Sequence, residues 1–287
     1  PGGDGPVGVA MAEVLAATIR ADQGAVSADL AGAIRGAAGR LRIGKDRITR
    51  QMPAPLEQLV EKLRHALTPD LVAVILYGSA AVGDYQETFS DYNVLCVLTQ
   101  ITPSQLRASE TVFRWWREQG NPAPLLLTER EITTSADCFS IEFHDIREHH
   151  RILHGADVVS NLTIGYGFHR AQVEHDLRAK LLRLRQKASG ILSDEDVLRR
   201  LLVDSVSTFC VLVRHALILH KVNAPAQKRE TIALAVHHFG IEAAPFLTLL
   251  DLREQKQKPK DVEPERLLAA YMKEIEKVIE QIDILEK

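Results

Sequence analysis

Residues 71–79 read LVAVILYGS, and residues 92–98 read YNVLCVL. An unbroken apolar run closed by a Gly-Ser pair is the pattern of a strand buried on both faces, and the second run repeats it. PLLLTE (124–129) and FSIEFHDI (139–146) read as two further strands. Around them, Pro55 opens an amphipathic helix with Leu56, Leu59, Val60 and Leu63 inside. Thr102 to Gln119 carries a second helix, with Thr102 or Ser104 near its cap and Trp115 and Trp116 toward its end. Residues 52–155 therefore read as a small α/β unit.

After His154-Gly155 the strand signals stop. Helical periodicity runs through Phe168–Lys187, Asp194–Lys221, Lys228–Phe239, Ala244–Gln255 and Glu263–Leu285. Breaks at Ser189-Gly190, Asn223-Ala224-Pro225 and Gly240 are short, which makes consecutive helices antiparallel neighbours. Residues 156–287 read as an all-α bundle, so the fold class is α+β: a small mixed-sheet domain followed by a helical bundle. Tyr271, Ile275, Val278, Ile282 and Leu285 form a stripe on the last helix. It offers a seam for a homodimer, but about two heptads suit closing the same bundle better. Residues 1–51 are Ala- and Gly-rich, with Arg40, Arg42, Lys45, Arg47 and Arg50 against a single Asp46. They read as a solvated extension.

Lys and Arg number 35 against 38 Asp and Glu, for a net charge of -3. Near neutrality argues against a dedicated duplex-DNA binder, which needs a basic face against the phosphates. No apolar run suggests the roughly 20 residues of a membrane span, and no leader pattern stands at the start. Cys96, Cys138 and Cys210 lie far apart among apolar neighbours and read as buried thiols in a reducing cytoplasm.

The chemistry sits between the first two strands, in Leu76-Tyr77-Gly78-Ser79-Ala80-Ala81-Val82-Gly83-Asp84 and Phe89-Ser90-Asp91-Tyr92-Asn93-Val94-Leu95. Gly78 lets the backbone approach a phosphate, and Ser79 adds a hydroxyl donor. Asp91 at the head of the next strand can hold a divalent cation on the phosphate oxygens.

Gly78, Ser79, Gly83, Ser90 and Asp91 match, position by position, the signature of the DNA polymerase β-like nucleotidyltransferases, a superfamily that this chain resembles. The nearest patterns are those of minimal nucleotidyltransferases and of aminoglycoside and lincosamide adenylyltransferases, which also append helical bundles. The resemblance implies transfer of a nucleoside monophosphate from an NTP, ATP favoured, to a hydroxyl of a small molecule or protein. Gly78, Ser79, Gly83 and Ser90 would hold the nucleotide, and Mg²⁺ would be the cofactor.

The superfamily's second carboxylate is Asn93 here. Residues i and i+2 of a strand face the same way, so Asn93 joins Asp91 at the metal position with a neutral oxygen in place of a charge. The resemblance also implies a later carboxylate that activates the attacking hydroxyl and completes the metal set. Glu142, on the polar face of the 139–146 alternation, is the candidate, with Asp145 as runner-up. A rival reading keeps the nucleotide cradle as a binding module that has lost turnover with Asn93.

Three further groups stand out. His144, His149, His150 and His154 cluster, with His150 and His154 at i,i+4, but no Glu lies between that pair as zinc hydrolase helices require, and a solvated helix accounts for them better. Asp84, Tyr85 and Glu87 read as solvated loop. Arg214 and His220 resemble the R-x4-6-H motif of the helical HEPN ribonucleases, a toxin–antitoxin reading. They lie about 120° apart around the helix, so Arg214 reads better as a phosphate or acceptor contact at the domain interface. Lys228 and Arg229 are weaker options of the same kind.

Overall fold

The computed structural model describes residues 52–82 and 92–285. Helix α1 (Ala54–Leu67) leads into β1 (Leu71–Tyr77), the short α2 (Ser79–Val82), β2 (Asn93–Leu98) and α3 (Pro103–Glu118). Next come β3 (Leu125–Thr128), α4 (Glu129–Thr134), α5 (Ser140–Glu148) and β4 (His150–Gly155). The remaining helices are α6 (Tyr166–Ser189), α7 (Glu195–Leu219), α8 (Lys228–Phe239), α9 (Ala244–Arg253) and α10 (Pro264–Asp283).

The strands lie in the order β3-β2-β1-β4. β1 runs antiparallel to both β2 and β4, and β3 lies parallel to β2, so the sheet is mixed. Strand side chains alternate between faces, and both faces of β1 are covered. Ala73, Ile75 and Tyr77 join Leu95, Val97 and Leu127 under Phe139, Phe143 and Ile146. Val74, Leu76, Val94, Cys96 and Leu98 pack on Leu56, Leu59 and Leu63 of α1 and on Val112 and Trp116 of α3. A strand enclosed on both sides needs an apolar residue at every position, which explains the unbroken run. Thr102 caps α3 in a capping box with Gln105, which satisfies backbone donors that the first turn leaves free.

The 139–146 segment is helix, not strand. Its apolar residues alternate because α5 is buried on two sides: Phe139, Phe143 and Ile146 face the sheet, while Ile141 enters the bundle core. The fourth strand is instead His150–Gly155, where a solvated helix was expected. Gly155 ends it at φ 80°, and a Cβ there would lie 1.9 Å from the Val72 carbonyl oxygen, so only glycine fits.

A separate apolar cluster fills the bundle around α7, which packs against α6, α8, α9 and α10. Contrary to the expectation from the sequence, α7 is long and apolar enough to cross a membrane, but 61% of its most apolar window is buried inside the bundle. Tyr271, Ile275, Val278 and Ile282 are enclosed in the same core, so the stripe on α10 is used within the chain. Cys96 and Cys210 are buried as expected, whereas Cys138 is exposed beyond the end of α4.

Candidate functional site

Gly78 follows the last residue of β1 with φ 75°, a left-handed conformation that strains any side chain. A Cβ there would also press to 3.1 Å from Asn93 Nδ2. Asn93 opens β2 directly across from Tyr77. It is 2% exposed, and its Oδ1 is buried without a hydrogen-bond partner among the described residues. Ser79 starts α2. Gly83, Ser90 and Asp91, with Asp84, Tyr85 and Glu87, lie outside the described residues.

Directly opposed residues of an antiparallel pair share a face, so Tyr77 and Asn93 both point toward α5. Glu142 sits on that helix, buried, and its charge acts on the Tyr77 hydroxyl. Burial pushes the Glu142 carboxyl up from 4.5 to about 7, with Asp176 and Asp145 adding repulsion and Gln172 opposing. A carboxyl poised near neutrality is suited to proton transfer. Asp145 is held differently. Burial opposes its ionisation, but Arg214 and His215 overcome that and hold it well below its ordinary value. That makes it a poor base and a good counter-ion.

Glu142 and Asp145 are the two ends of one polar seam between α5, α6 and α7. Gln172 Nε2 donates to Glu142 Oε2 at 3.3 Å. The Ser140 hydroxyl donates to Gln172 Oε1 at 2.7 Å and lies 2.7 Å from His169 Nδ1. His169 Nε2 is 3.2 Å from His215 Nδ1, and His215 Nε2 is 2.9 Å from Asp145 Oδ1. Arg214 closes the line with an ion pair to Asp145 Oδ2. Ser140, His169, Arg214 and His215 are all buried.

Sequence reasoning missed Ser140, His169 and Gln172. Polar residues on the inward side of apolar helices are the signal, but it does not say which helices meet. Arg214 lies at the seam between α5 and the bundle, as an ion-pair partner for Asp145. His220 does not join it. That ring meets Phe239 edge to face at 5.0 Å and bonds to the Gln281 carbonyl. Arg229 is engaged with Asp251 and Glu254. Of the clustered histidines His144 reaches the seam and His149 feels the charges of Arg214 and Asp145, while His150 bonds to the Arg147 carbonyl and lies 3.5 Å from Asp157. A groove of about 450 Å³ between Glu129, Thr133, Asp157 and Asn161 shares no residue with the seam.

No protein-family model matches the chain, and no curated protein matches it in sequence. In three dimensions it is similar to spectinomycin adenyltransferase AAD(9) from Enterococcus faecialis, solved with ATP and spectinomycin. The TM-score is 0.53 at 11% identity, over 79% of this chain and 98% of that one. The chain has an α+β nucleotidyltransferase fold.

Proposed function

We propose that the protein transfers a nucleoside monophosphate from ATP to a hydroxyl of a small molecule. The observation that carries this reading is the pairing of the left-handed Gly78 turn with the buried Asn93 amide at the adjoining ends of β1 and β2. A cradle of that form leaves room for phosphate where a side chain would intrude. The similarity in fold to a protein solved with ATP supports the same reading.

The residues fit a hard cation. Asn93 Oδ1 is a buried oxygen without a partner among the described residues, and Mg²⁺ takes oxygen ligands. Asp91 and Glu142 would complete the set, and the bound ion would supply neutralisation of the triphosphate charge. The chain's own residues do the rest. Gly78 and Ser79 hold the phosphates, with Gly83 and Ser90 alongside. Glu142, whose buried carboxyl holds its proton more tightly than an exposed one, accepts the proton of the attacking hydroxyl. Gln172 keeps its carboxylate oriented through a single hydrogen bond. Positioning and charge neutralisation account for most of the catalysis in this chemistry.

The test uses radiolabelled ATP with a panel of polyhydroxylated acceptors, comparing wild type with Gly78→Val, Asp91→Ala and Asn93→Asp. Wild-type transfer lost in Gly78→Val and Asp91→Ala is the expected result. ATP bound without turnover in any variant favours a binding module. Equal ATP affinity in wild type and Gly78→Val removes the cradle.

A further inference from the structure

The polar seam carries a chemistry that nucleotide transfer does not use, and the direction of its hydrogen bonds can be worked out from one end. The Ser140 backbone N–H donates to Gln172 Oε1 at 2.9 Å, which fixes that atom as oxygen. The Ser140 hydroxyl gives its single proton to the same oxygen. Ser140 Oγ must then accept from His169 Nδ1–H across 2.7 Å. A neutral His169 has its lone pair on Nε2, which accepts from His215 Nδ1–H. A neutral His215 in turn presents the lone pair of Nε2 to the Asp145 carboxylate at 2.9 Å.

Two lone pairs at that separation repel unless a cation lies between them. His144 Nδ1, a buried atom with no hydrogen-bond partner among the described residues, is 3.8 Å from the same Asp145 oxygen. The three ligand atoms all lie within 4.8 Å of one another. A proton is the alternative: it would make His215 a buried imidazolium beside Arg214, which burial opposes and the Asp145 carboxylate favours. Burial likewise keeps His169 neutral, with its pKa down to about 3.

We propose that His144 Nδ1, Asp145 Oδ1 and His215 Nε2 bind a divalent transition metal of the zinc class. Two imidazoles and a carboxylate are a borderline-soft donor set suited to such an ion. Bonds of about 2.1 Å in a tetrahedron place ligand atoms about 3.4 Å apart, between the 2.9 Å and 3.8 Å found here. The supporting contacts are also of the right kind. His215 donates its other N–H to His169, and Arg214 steadies the second Asp145 oxygen. The Arg214 charge weakens the site relative to a closed structural zinc centre. Its all-oxygen counterpart at Asn93 would select a different class of metal, so the two sites do not compete.

The probe is Zn²⁺ alone, added to the full chain after chelator dialysis, without nucleotide, and read by competition with a chromogenic chelator. One equivalent should bind, and His144→Ala and His215→Gln should each weaken binding by about 10-fold or more. Co²⁺ in place of Zn²⁺ should give the visible bands of a tetrahedral nitrogen-oxygen site, absent in His215→Gln. His154→Ala, on β4, should bind as wild type does. Absence of stoichiometric binding by wild type, or wild-type affinity in both seam variants, overturns the site and leaves His215 to carry a proton. His144 lies at the partly exposed edge of the seam, so His144→Ala keeps the test valid where His215→Gln fails to fold. Because no nucleotide is present, failure here leaves the transferase reading standing, and loss of transfer leaves the zinc result standing.

Discussion

The two sides of α5 hold the molecule together by opposite means. Toward the sheet it presents Phe139, Phe143 and Ile146 to β1 and β2, and apart from the Tyr77–Asn93 end the contact is apolar. Toward the bundle it presents Ser140, Glu142, His144 and Asp145 to His169, Gln172, Arg214 and His215. Apolar burial is tolerant of pH and of small changes in shape. A buried polar line is not, because each group depends on its neighbour's proton and position. The sheet side is therefore built for stability and the bundle side for placing charge.

The largest effect expected from this contrast is on turnover. Glu142→Gln should lower nucleotide transfer by about 10²–10⁴-fold, as loss of a general base does, while circular dichroism remains that of wild type. Retained activity would make Glu142 a buried structural acid only. Next comes Arg214→Met, which strands the Asp145 carboxylate in the seam. Removing one partner of a buried ion pair costs about 3–5 kcal/mol, read from the urea midpoint. The double change Arg214→Met with Asp145→Leu should recover much of that loss. Failure to recover would mean that the pair is not the source of the destabilisation.

The acidity of Glu142 gives a smaller, signed effect. Its folded-state value lies above its ordinary one, so the native state binds the extra proton. The resulting stability is fully present below pH 4.5 and is lost as pH rises through about 7. The change is on the order of 2–3 kcal/mol. Urea unfolding at pH 5 and pH 8 should show it in wild type and not in Glu142→Gln. A wild-type curve flat between these values would refute the perturbed carboxyl. Smallest of all, Ile75→Val in the apolar sheet should cost about 0.5–1.5 kcal/mol, independent of pH over the same range. A pH-dependent cost there would erase the contrast between the two sides.

The same contrast explains what could be read from the chain in advance. β1 and β2 were legible because a strand covered on both faces has no polar position to disguise it. The bundle helices were legible to within a few residues because their apolar residues recur at helical spacing and short polar breaks separate them. α5 was misread because it is covered on two sides with different chemistry, so its apolar residues alternate as a strand's do. β4 was misread because i and i+4 share a face in a strand as well as in a helix. At the site, the Gly78-Ser79 turn and Asn93 announce themselves locally, and Glu142 was reachable by its polarity among apolar neighbours. The seam was not, since His169 and His215 meet Ser140 and Asp145 only after three helices have packed.

The placing of Trp116 has an optical consequence. The chain's two tryptophans are neighbours on α3, with ring centres 5.9 Å apart. Trp116 is wholly enclosed against the sheet, its indole nitrogen without a hydrogen-bond partner among the described residues, and Trp115 lies under the Lys62 ammonium at 4.9 Å. Tryptophan emission therefore comes from one corner of the protein, and the bundle contributes none of it. The Tyr92 ring stands 6.1 Å from Trp116 and directly follows Asp91 in the chain. The tryptophan pair is thus one ring contact away from the residue that follows the position proposed for cation capture. A titration with nucleotide and Mg²⁺ can be followed there by colour and intensity, with no label added.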